Sequence, residues 1–536
     1  MKRPSINTLR KIDIIFLLVY IITSIVCCVK INKLQMLPTL WQVLLIIILL
    51  LIFGIIFITI NLTKKTRYVI IRCGIELILS ILLISVSVLS NTLDTSISES
   101  LSLPTSIKQN ISILVRTDSD IKTTKDLDKK NVGVQNGMDE ANAKYVLEQL
   151  KKDNSIPVQI EYIDYAALAI NLVNKDIDAL VVGDAYLTSL YENVPNLKES
   201  TKVLKSYQRE IKNEHASTSN VDITKDVFTV YISGMDEVGD PTQNLRSDVN
   251  ILLIVNPKIK HIEMISFPRD AYIPNIATNN LNDKLTHTGI YGVETTIKSM
   301  ENVLDIPIDF YAKVSFTSLI EIVDTLGGID VDVPISFCEQ DEYRSYINEL
   351  CINKGQQKLS GSQALAFSRH RHSYEDQDLG RNRAQQLVMK AIIKKAVSID
   401  GIKAANDLLA IVSKTVMSNI PDKQLRSFVS QQLNNPSSWT MESTAINQGV
   451  YEMYNTASMG ANLPLSCYVF KRSELQRVID SYYAAKKDIN LSNFNFNLEE
   501  LNKDRVMLKE HEEMIFTDEE VNSFEKITTN NEVVNE

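Results

Sequence analysis

Three apolar runs fill the first 90 residues, at 12–29, 40–62 and 68–89. Each approaches the roughly 20 residues that a bilayer-spanning helix needs. No other pattern restricts a fold so tightly, because a chain in lipid must satisfy its backbone polar groups within helices or a closed barrel. The run at 12–29 is the weakest, being short and carrying Asp13. It does not read as a cleaved signal peptide: a small-residue cleavage site is missing and two further spans follow. Basic residues give the orientation. Lys2, Arg3, Arg10 and Lys11 precede the first run, and Lys64, Lys65 and Arg67 lie between the second and third. The first inter-span loop has only Lys30 and Lys33, and no cation follows the third run before Lys108. A multi-pass cell-membrane protein is predicted, with its N-terminus cytoplasmic and everything after about residue 92 extracellular. Chemistry there must proceed without cytosolic ATP.

The 536 residues are too many for one ordinary domain. With 45% hydrophobic and 23% charged residues, most of the chain is expected to fold. A net charge of −9 speaks against a nucleic-acid binder that works through a basic surface. Cys27, Cys28 and Cys73 fall in the apolar runs, where a thiol is a small filler. Cys338 and Cys351 lie close together on the outer side, where a disulfide closing their loop is permitted. Exported proteins of thick-walled bacteria often avoid such bonds. Cys467 is left over, and no Cys/His spacing suggests zinc.

Beyond the three transmembrane helices (1–90), a Ser/Thr-rich linker is expected at 91–108 and a small α/β accessory domain at 109–210. Strands near 111–115, 131–134, 158–162 and 177–182 alternate there with helices at 140–151 and 166–174, which implies a mostly parallel sheet. DLDKKNVGVQNGMDEANAKYV followed by KDIDALVVGDA resembles one lobe of the type 2 periplasmic binding-protein fold, in which the turn at 135–137 would face a ligand. One lobe is half a clamp, so a structural or docking role is favoured over ligand capture. After a polar boundary, a larger α/β domain is expected at 223–486. Its strands, near 228–232, 249–256, 262–267, 310–314 and 329–333, are apolar nearly throughout, as buried strands are. Helices at 291–304, 316–326, 361–367, 382–398, 403–416 and 422–432 would cover both faces of a central, mostly parallel sheet. Residues 500–536 are acidic and polar, and a disordered tail is expected.

Two stretches carry chemistry. LSGSQALAFSRHRHSYEDQDLGRNRAQQLVMK sets Arg369, Arg371, Arg381 and Arg383 close together, with Asp376 and Asp378 among them. Crowded guanidinium groups repel unless something anionic sits between them, and their forks match phosphate oxygens. The bland alternative is a solvated basic loop paired with its own aspartates. Farther upstream, Asp236, Arg246, Asp248, Arg269 and Asp270 arrive at successive strand ends, which is where open α/β sheets bind ligands. One Asp at a strand end is usually a turn or cap residue. Several acids and bases arriving together are harder to explain so. Two carboxylates, phosphate oxygens and waters are what Mg²⁺ accepts. Both stretches together suggest a cation-assisted pyrophosphate site. His370 and His372 lack a third ligand, which makes zinc a poor reading.

RSDVNILLIVNPK, ISFPRDAYIP, DKLTHTGIYG, IDFYAKVSFTSLIEIVDTLGGIDVDVP and LSGSQALAFSRHRHSYEDQDLGRNRAQQ, in that order, resemble the LytR–CpsA–Psr family. Three spans plus an accessory domain resemble its capsule-associated, streptococcal-type members. The resemblance implies a membrane-anchored extracellular phosphotransferase of Gram-positive bacteria. Such an enzyme moves a glycopolymer (teichoic acid or capsular polysaccharide) from polyprenyl pyrophosphate to the C6 hydroxyl of N-acetylmuramic acid in peptidoglycan. It further implies that Asp236 and Asp248 hold Mg²⁺, with Arg246 beside them. Arg269, Arg369, Arg371 and Arg381 would bind the pyrophosphate, Asp378 would orient those arginines, and Gln385 would complete the shell. Members ending in GRxxRQQ have an arginine where this chain has Ala384, and Arg383 next door would point about 100° away on a helix. Asp248, then Asp236, is the expected general base. The polyprenyl tail is expected among the elements near 310–326 and 387–397. Two rivals remain: a hydrolase using the same site, and a non-enzymatic surface sensor working through the accessory lobe. Transcriptional regulation is excluded by the topology and the lack of a basic reading helix.

Overall fold

The computed structural model describes residues 6–34, 39–62, 65–100, 106–137, 139–212, 219–235, 240–343, 345, 349–398, 404–435 and 438–489. Asp236 and the expected tail at 500–536 lie outside them. The chain opens with α1 (Ile6–Leu34), α2 (Thr39–Leu62) and α3 (Thr66–Ser100), all long and apolar enough to cross a membrane. Asp13, the polar residue of the first run, is buried and accepts from Arg72 Nε of α3 at 2.9 Å, so the charge enters lipid only as a pair. Farther along, Lys30 donates to Asn91 at 2.5 Å and Lys33 to Asp94 at 2.7 Å, so α1 and α3 run parallel. The stretch 91–100, expected as linker, instead continues α3. A helix already nucleated gains one hydrogen bond per residue fixed, and Ser and Thr do not stop it.

The accessory domain comprises β1 (Ser106–Arg116), β2 (Asn131–Gln135), α4 (Glu140–Lys152), β3 (Val158–Tyr162), α5 (Tyr165–Val173), β4 (Ala179–Gly183), α6 (Asp184–Asn193), the short α7 (Leu197–Ser200) and β5 (Thr201–Lys212). Its sheet runs β3-β2-β4-β1-β5. β2 pairs parallel with β3 and β4, but β1 is antiparallel to both β4 and β5, so the sheet is mixed and not mostly parallel. β5 escapes the sequence pattern because it is an edge strand, and its charged residues keep that edge solvated. Leu168, Leu180 and Leu190 share one core cluster with Ile290, Met459 and Leu465 of the large domain, so the lobe is packed onto its neighbour.

The large domain runs through β6 (Phe228–Met235), β7 (Ser247–Asn256), β8 (His261–Ser266), β9 (Tyr272–Asn275), β10 (Leu281–Lys284), α8 (Leu285–Thr288), α9 (Val293–Leu304), β11 (Phe310–Val314), α10 (Phe316–Thr325) and β12 (Ile329–Val333). It continues with β13 (Phe337–Glu339), β14 (Leu350–Ile352), β15 (Gly355–Leu359), α11 (Gly361–Arg369), α12 (Asp378–Ala396), α13 (Ala405–Thr415), β16 (Val416–Ser418), α14 (Asp422–Asn434), β17 (Thr440–Ala445), β18 (Gly449–Thr456), β19 (Gly460–Phe470) and α15 (Arg472–Lys486). The central sheet runs β16-β11-β6-β7-β8-β17. Only β11–β6 and β17–β8 are parallel; β16–β11, β6–β7 and β7–β8 are antiparallel, which corrects the mostly parallel expectation. The links explain it. A parallel crossover needs a dozen or more residues, and β7 reaches β8 through 257–260 alone. β12, expected in this sheet, pairs with β15 in a separate ribbon.

Helices cover both faces. Met300 of α9 and Val478 and Ile479 of α15 pack on Tyr231, Leu252 and Ile265; Phe428 of α14 and Met389 of α12 pack against the side of Phe228 and Phe310. Cys338 and Cys351 face each other across β13–β14 and are bonded. Arg426 of α14 is buried between Asp422 (2.6 Å) and Asp94 of α3 (3.3 Å), and α13 lies between α3 and α10. The large domain is thereby seated on the membrane helices through α13 and α14.

Candidate functional site

Strand ends and helix starts converge on one cavity of about 250 Å³. At its polar end stand Asp248, Arg269, Arg369, Arg371, Arg381 and Gln385. Its other end is apolar, formed by Ile232, Val249, Leu319, Val388, Met389 and Ile392 from the sheet, α10 and α12. Residues nearly 150 positions apart therefore meet, as two of the sequence stretches implied.

Asp248 enters at the start of β7, opposite a register shift between Gly234 and Met235. Its Oδ2 accepts from Arg269 Nη1 at 2.7 Å and its Oδ1 from the Thr286 hydroxyl at 3.1 Å. Burial alone would raise the Asp248 pKa, but the guanidinium groups of Arg269, Arg246 and Arg381 hold it well below the usual carboxylate range. A carboxylate so held is a weak proton acceptor, which does not suit the base role expected of it. Thr286 also donates its backbone N–H to the Arg269 carbonyl at 2.8 Å. The KLTHT segment thus splints the Pro-Arg-Asp turn against β7.

Arg269 is the hub. Besides Asp248 it faces Asp378 at 3.3 Å and Asp270 at 3.6 Å, and Asp270 is itself held by Lys284 at 2.9 Å. Asp378 opens α12, where a carboxylate suits the helix dipole. Gln377 before it takes φ +39°, a conformation that side-chain-bearing residues rarely adopt, and this turn aims Asp378 into the arginines. Arg381 Nη2 reaches Asp378 at 3.2 Å and Arg371 Nη1 lies 3.8 Å from it, so one carboxylate orders three guanidinium groups. Arg369 donates to the Asp341 carbonyl at 3.0 Å and lies 4.8 Å from the Phe316 ring centre. Gln385 is buried and donates to the Ser368 carbonyl at 3.3 Å. The Arg381 Nε is buried with no hydrogen-bond acceptor, and the Arg269 Nε is buried within ion-pair distance of the Asp378 and Asp270 carboxylates.

Two expected residues stand differently. Asp236 lies outside the described residues. Arg246 does not line the cavity itself; it stays close enough to Asp248 to lower that carboxyl's pKa, while Glu192 of α6 (3.0 Å) and Ser189 (3.2 Å) accept from it. Glu192 itself lines the cavity, so the accessory domain supplies part of the wall. Sequence reading missed Glu192, and YENVPN offers no signal for it, because its partner comes from another domain. Arg383 does not stand in for the arginine replaced by Ala384. Ala384 is packed in a core cluster with Phe367 and Val388, whereas Arg383 pairs with Asp376 at 2.9 Å on the exposed side. His370 uses both ring nitrogens, Nδ1 with Glu339 at 3.0 Å and Nε2 as acceptor from Ser373 N–H at 3.2 Å.

Of the two expected magnesium ligands, Asp248 lines the cavity with its oxygens accepting from Arg269 and Thr286, and an ion there would need phosphate oxygens to complete its coordination.

Residues 193–474 match the LytR_cpsA_psr family. The polyisoprenyl-teichoic acid–peptidoglycan teichoic acid transferase TagU of Bacillus cereus is 31% identical over 250 residues, covering 46% of this chain and 77% of that one. TagU of Bacillus subtilis strain 168 is 36% identical over 198 residues, 37% of this chain and 61% of that one. Among solved structures, B. subtilis TagV shares 26% identity, with 50% of this chain and 99% of that chain covered and a TM-score of 0.42. The match spans more than half the chain and includes the segments that carry Asp248, Arg269, Asp378 and Arg381: the chain belongs to the LytR_cpsA_psr family.

Proposed function

We propose that the cavity binds a polyprenyl diphosphate-linked glycopolymer, and that the protein transfers the glycosyl phosphate to the C6 hydroxyl of N-acetylmuramic acid in peptidoglycan. One observation carries this reading: the guanidinium groups of Arg269, Arg369, Arg371 and Arg381 crowd one end of a cavity whose other end is apolar. A ligand that satisfies both ends has an anionic head and a hydrocarbon tail. The names of the TagU relatives, as teichoic acid transferases acting on polyisoprenyl-linked polymer and peptidoglycan, support the same assignment. The three apolar helices support a membrane anchor, and the basic residues flanking them support a site on the outer side.

Arg269, Arg369, Arg371 and Arg381 would bind the diphosphate, with Asp378 ordering them and Gln385 closing the shell. Phosphoryl transfer needs alignment and neutralised charge more than covalent help. Asp248 and Asp236 would hold Mg²⁺, which supplies charge neutralisation when bound. The test is to incubate the full-length protein with Mg²⁺, a lipid diphosphate glycan and uncrosslinked peptidoglycan. A sugar–phosphate–muramic acid linkage is the expected product. Release of free phosphorylated glycan alone would replace transfer with hydrolysis.

The apolar end makes a separate prediction. Leu319→Trp, which fills the groove, should raise the KM for a long polyprenyl donor roughly tenfold and that for a geranyl donor much less. Steady-state kinetics with both chain lengths check it. Glu192→Gln keeps a hydrogen-bond acceptor for Arg246 but removes one negative charge from the cavity wall. Geranyl diphosphate should then bind more tightly, by about three- to tenfold at low salt, with the gain shrinking as salt is added. Titration calorimetry at two ionic strengths reads this directly.

A further inference from the structure

A second crevice, of about 490 Å³, backs onto the arginine wall and shares Arg269 and Arg371 with the first cavity. Its remaining walls are different. Tyr451 and Ser466 come from the β18–β19 hairpin, Glu375, Asp376 and Gln377 from the turn before α12, and Asp378 from its first position. Tyr451 is 39% exposed, and its ring is braced on that of the buried Tyr468, with centroids 5.1 Å apart. Glu375 is exposed and makes no hydrogen bond or ion pair among the described residues. An exposed aromatic face beside an uncommitted carboxylate suits a pyranose, whose C–H face packs on the ring while its hydroxyls donate to the acid.

Position decides which sugar. In-line displacement at phosphorus requires the attacking oxygen opposite the leaving oxygen. The apolar groove, on one side of Arg269 and Arg371, takes the leaving polyprenyl phosphate, so the attacking hydroxyl must come from the other side. We propose that this crevice seats the acceptor, a wall glycan strand with one pyranose ring against Tyr451 and Glu375 at the attacking hydroxyl. This rests on the diphosphate reading above. The hydroxyl oxygen bonds to the glycan-linked phosphorus, and the bond from that phosphorus to the bridging oxygen breaks. Polyprenyl phosphate leaves with the electron pair, while the hydroxyl proton passes to the Glu375 carboxylate and on to water.

The test uses full-length protein in nanodiscs with inorganic pyrophosphate and the N-acetylglucosaminyl-N-acetylmuramic acid disaccharide, read by calorimetry. Wild type should bind the disaccharide, Tyr451→Ala should bind it about tenfold or more weakly, and Tyr451→Phe, which keeps the ring, should stay close to wild type. In turnover, Tyr451→Ala should raise the acceptor KM at least tenfold more than the donor KM. Glu375→Gln should lower kcat by about 10²-fold and flatten the acid limb of its pH profile. Absence of disaccharide binding, equal affinity in Tyr451→Ala, or a rise in donor KM alone would overturn the assignment. Binding is read without turnover, so wild type that binds disaccharide but moves no phosphoryl group would count against the transfer reading and not against the crevice.

Discussion

Arg269→Ala should lower phosphotransfer by about 10³-fold, the upper end of what removing one donor to a developing oxyanion costs. Arg269 is the only cavity arginine paired with carboxylates from three separate places among the described residues: Asp248, Asp270 and Asp378. Its loss therefore acts twice. The diphosphate loses its central fork, and the buried Asp248 loses its nearest counter-charge. Breaking a buried pair from one side typically costs about 3–5 kcal/mol, so a lowered melting temperature should accompany the lost activity. Arg269→Lys separates the effects. It keeps the positive charge near Asp248 but cannot span two carboxylates, so most stability should return while transfer stays at least tenfold down. The pH response follows from Asp248. Its folded pKa lies below its unfolded value, so its stabilising contribution is complete above the unfolded pKa, near 4, and is lost only as pH falls toward the folded value. In Arg269→Ala that depression weakens, and the variant should lose its advantage over the unfolded chain at a higher pH than wild type. Thermal melts between pH 3 and 7, run beside the transfer assay, test all of this.

What the sequence disclosed about this site depended on distance along the chain. Arg369, Arg371, Asp378 and Arg381 crowd into one segment, and a helix start places Asp378 where its neighbours need it. Asp248 and Arg269 stood at strand ends, and strand ends of an α/β sheet meet at one edge. Those residues could be read before any fold was known. Glu192 could not, because its role exists only where α6 packs against the large domain. Tyr451 belongs to a hairpin half exposed on both faces, whose alternation of Tyr, Glu and Met resembles many surface strands. The sheet polarity was legible but misread: apolar strands suggested burial on both faces, and burial suggested parallel pairing. The short link at 257–260 pointed the other way, and chain connectivity outranks composition. The Ser/Thr-rich stretch after the third apolar run misled for a related reason. Propensity says little about a segment that extends a helix already formed.

Lys313→Met should make the protein more stable near pH 6, by an amount that shrinks as pH rises. Lys313 sits in β11 with its side chain buried, and its ammonium donates to the Gln243 carbonyl. Burial pushes its pKa down to about 7, against a weaker upward pull from Asp240. The unfolded value is near 10.4, so between about pH 7 and 10 the unfolded chain binds more protons here than the folded one. Stability contributed at this position therefore rises with pH across that window. Below pH 7 the lysine is charged in a buried site and the whole cost is felt, a few kcal/mol in order of magnitude. Methionine removes it, while leaving the Gln243 carbonyl without a donor, which costs about 1–3 kcal/mol in return. The net gain should be about 2 kcal/mol at pH 6 and should fade, or reverse, by pH 10. Unfolding curves for both proteins at pH 6, 8 and 10 decide it, since a gain equal at all three would mean the lysine charge is not the cause. Val314, the next residue in β11, lines the cavity, and Gln243 belongs to the connection that also carries Asp236 and Arg246. The stabilised variant should therefore transfer more slowly, because the tie holding that connection to the sheet has been cut.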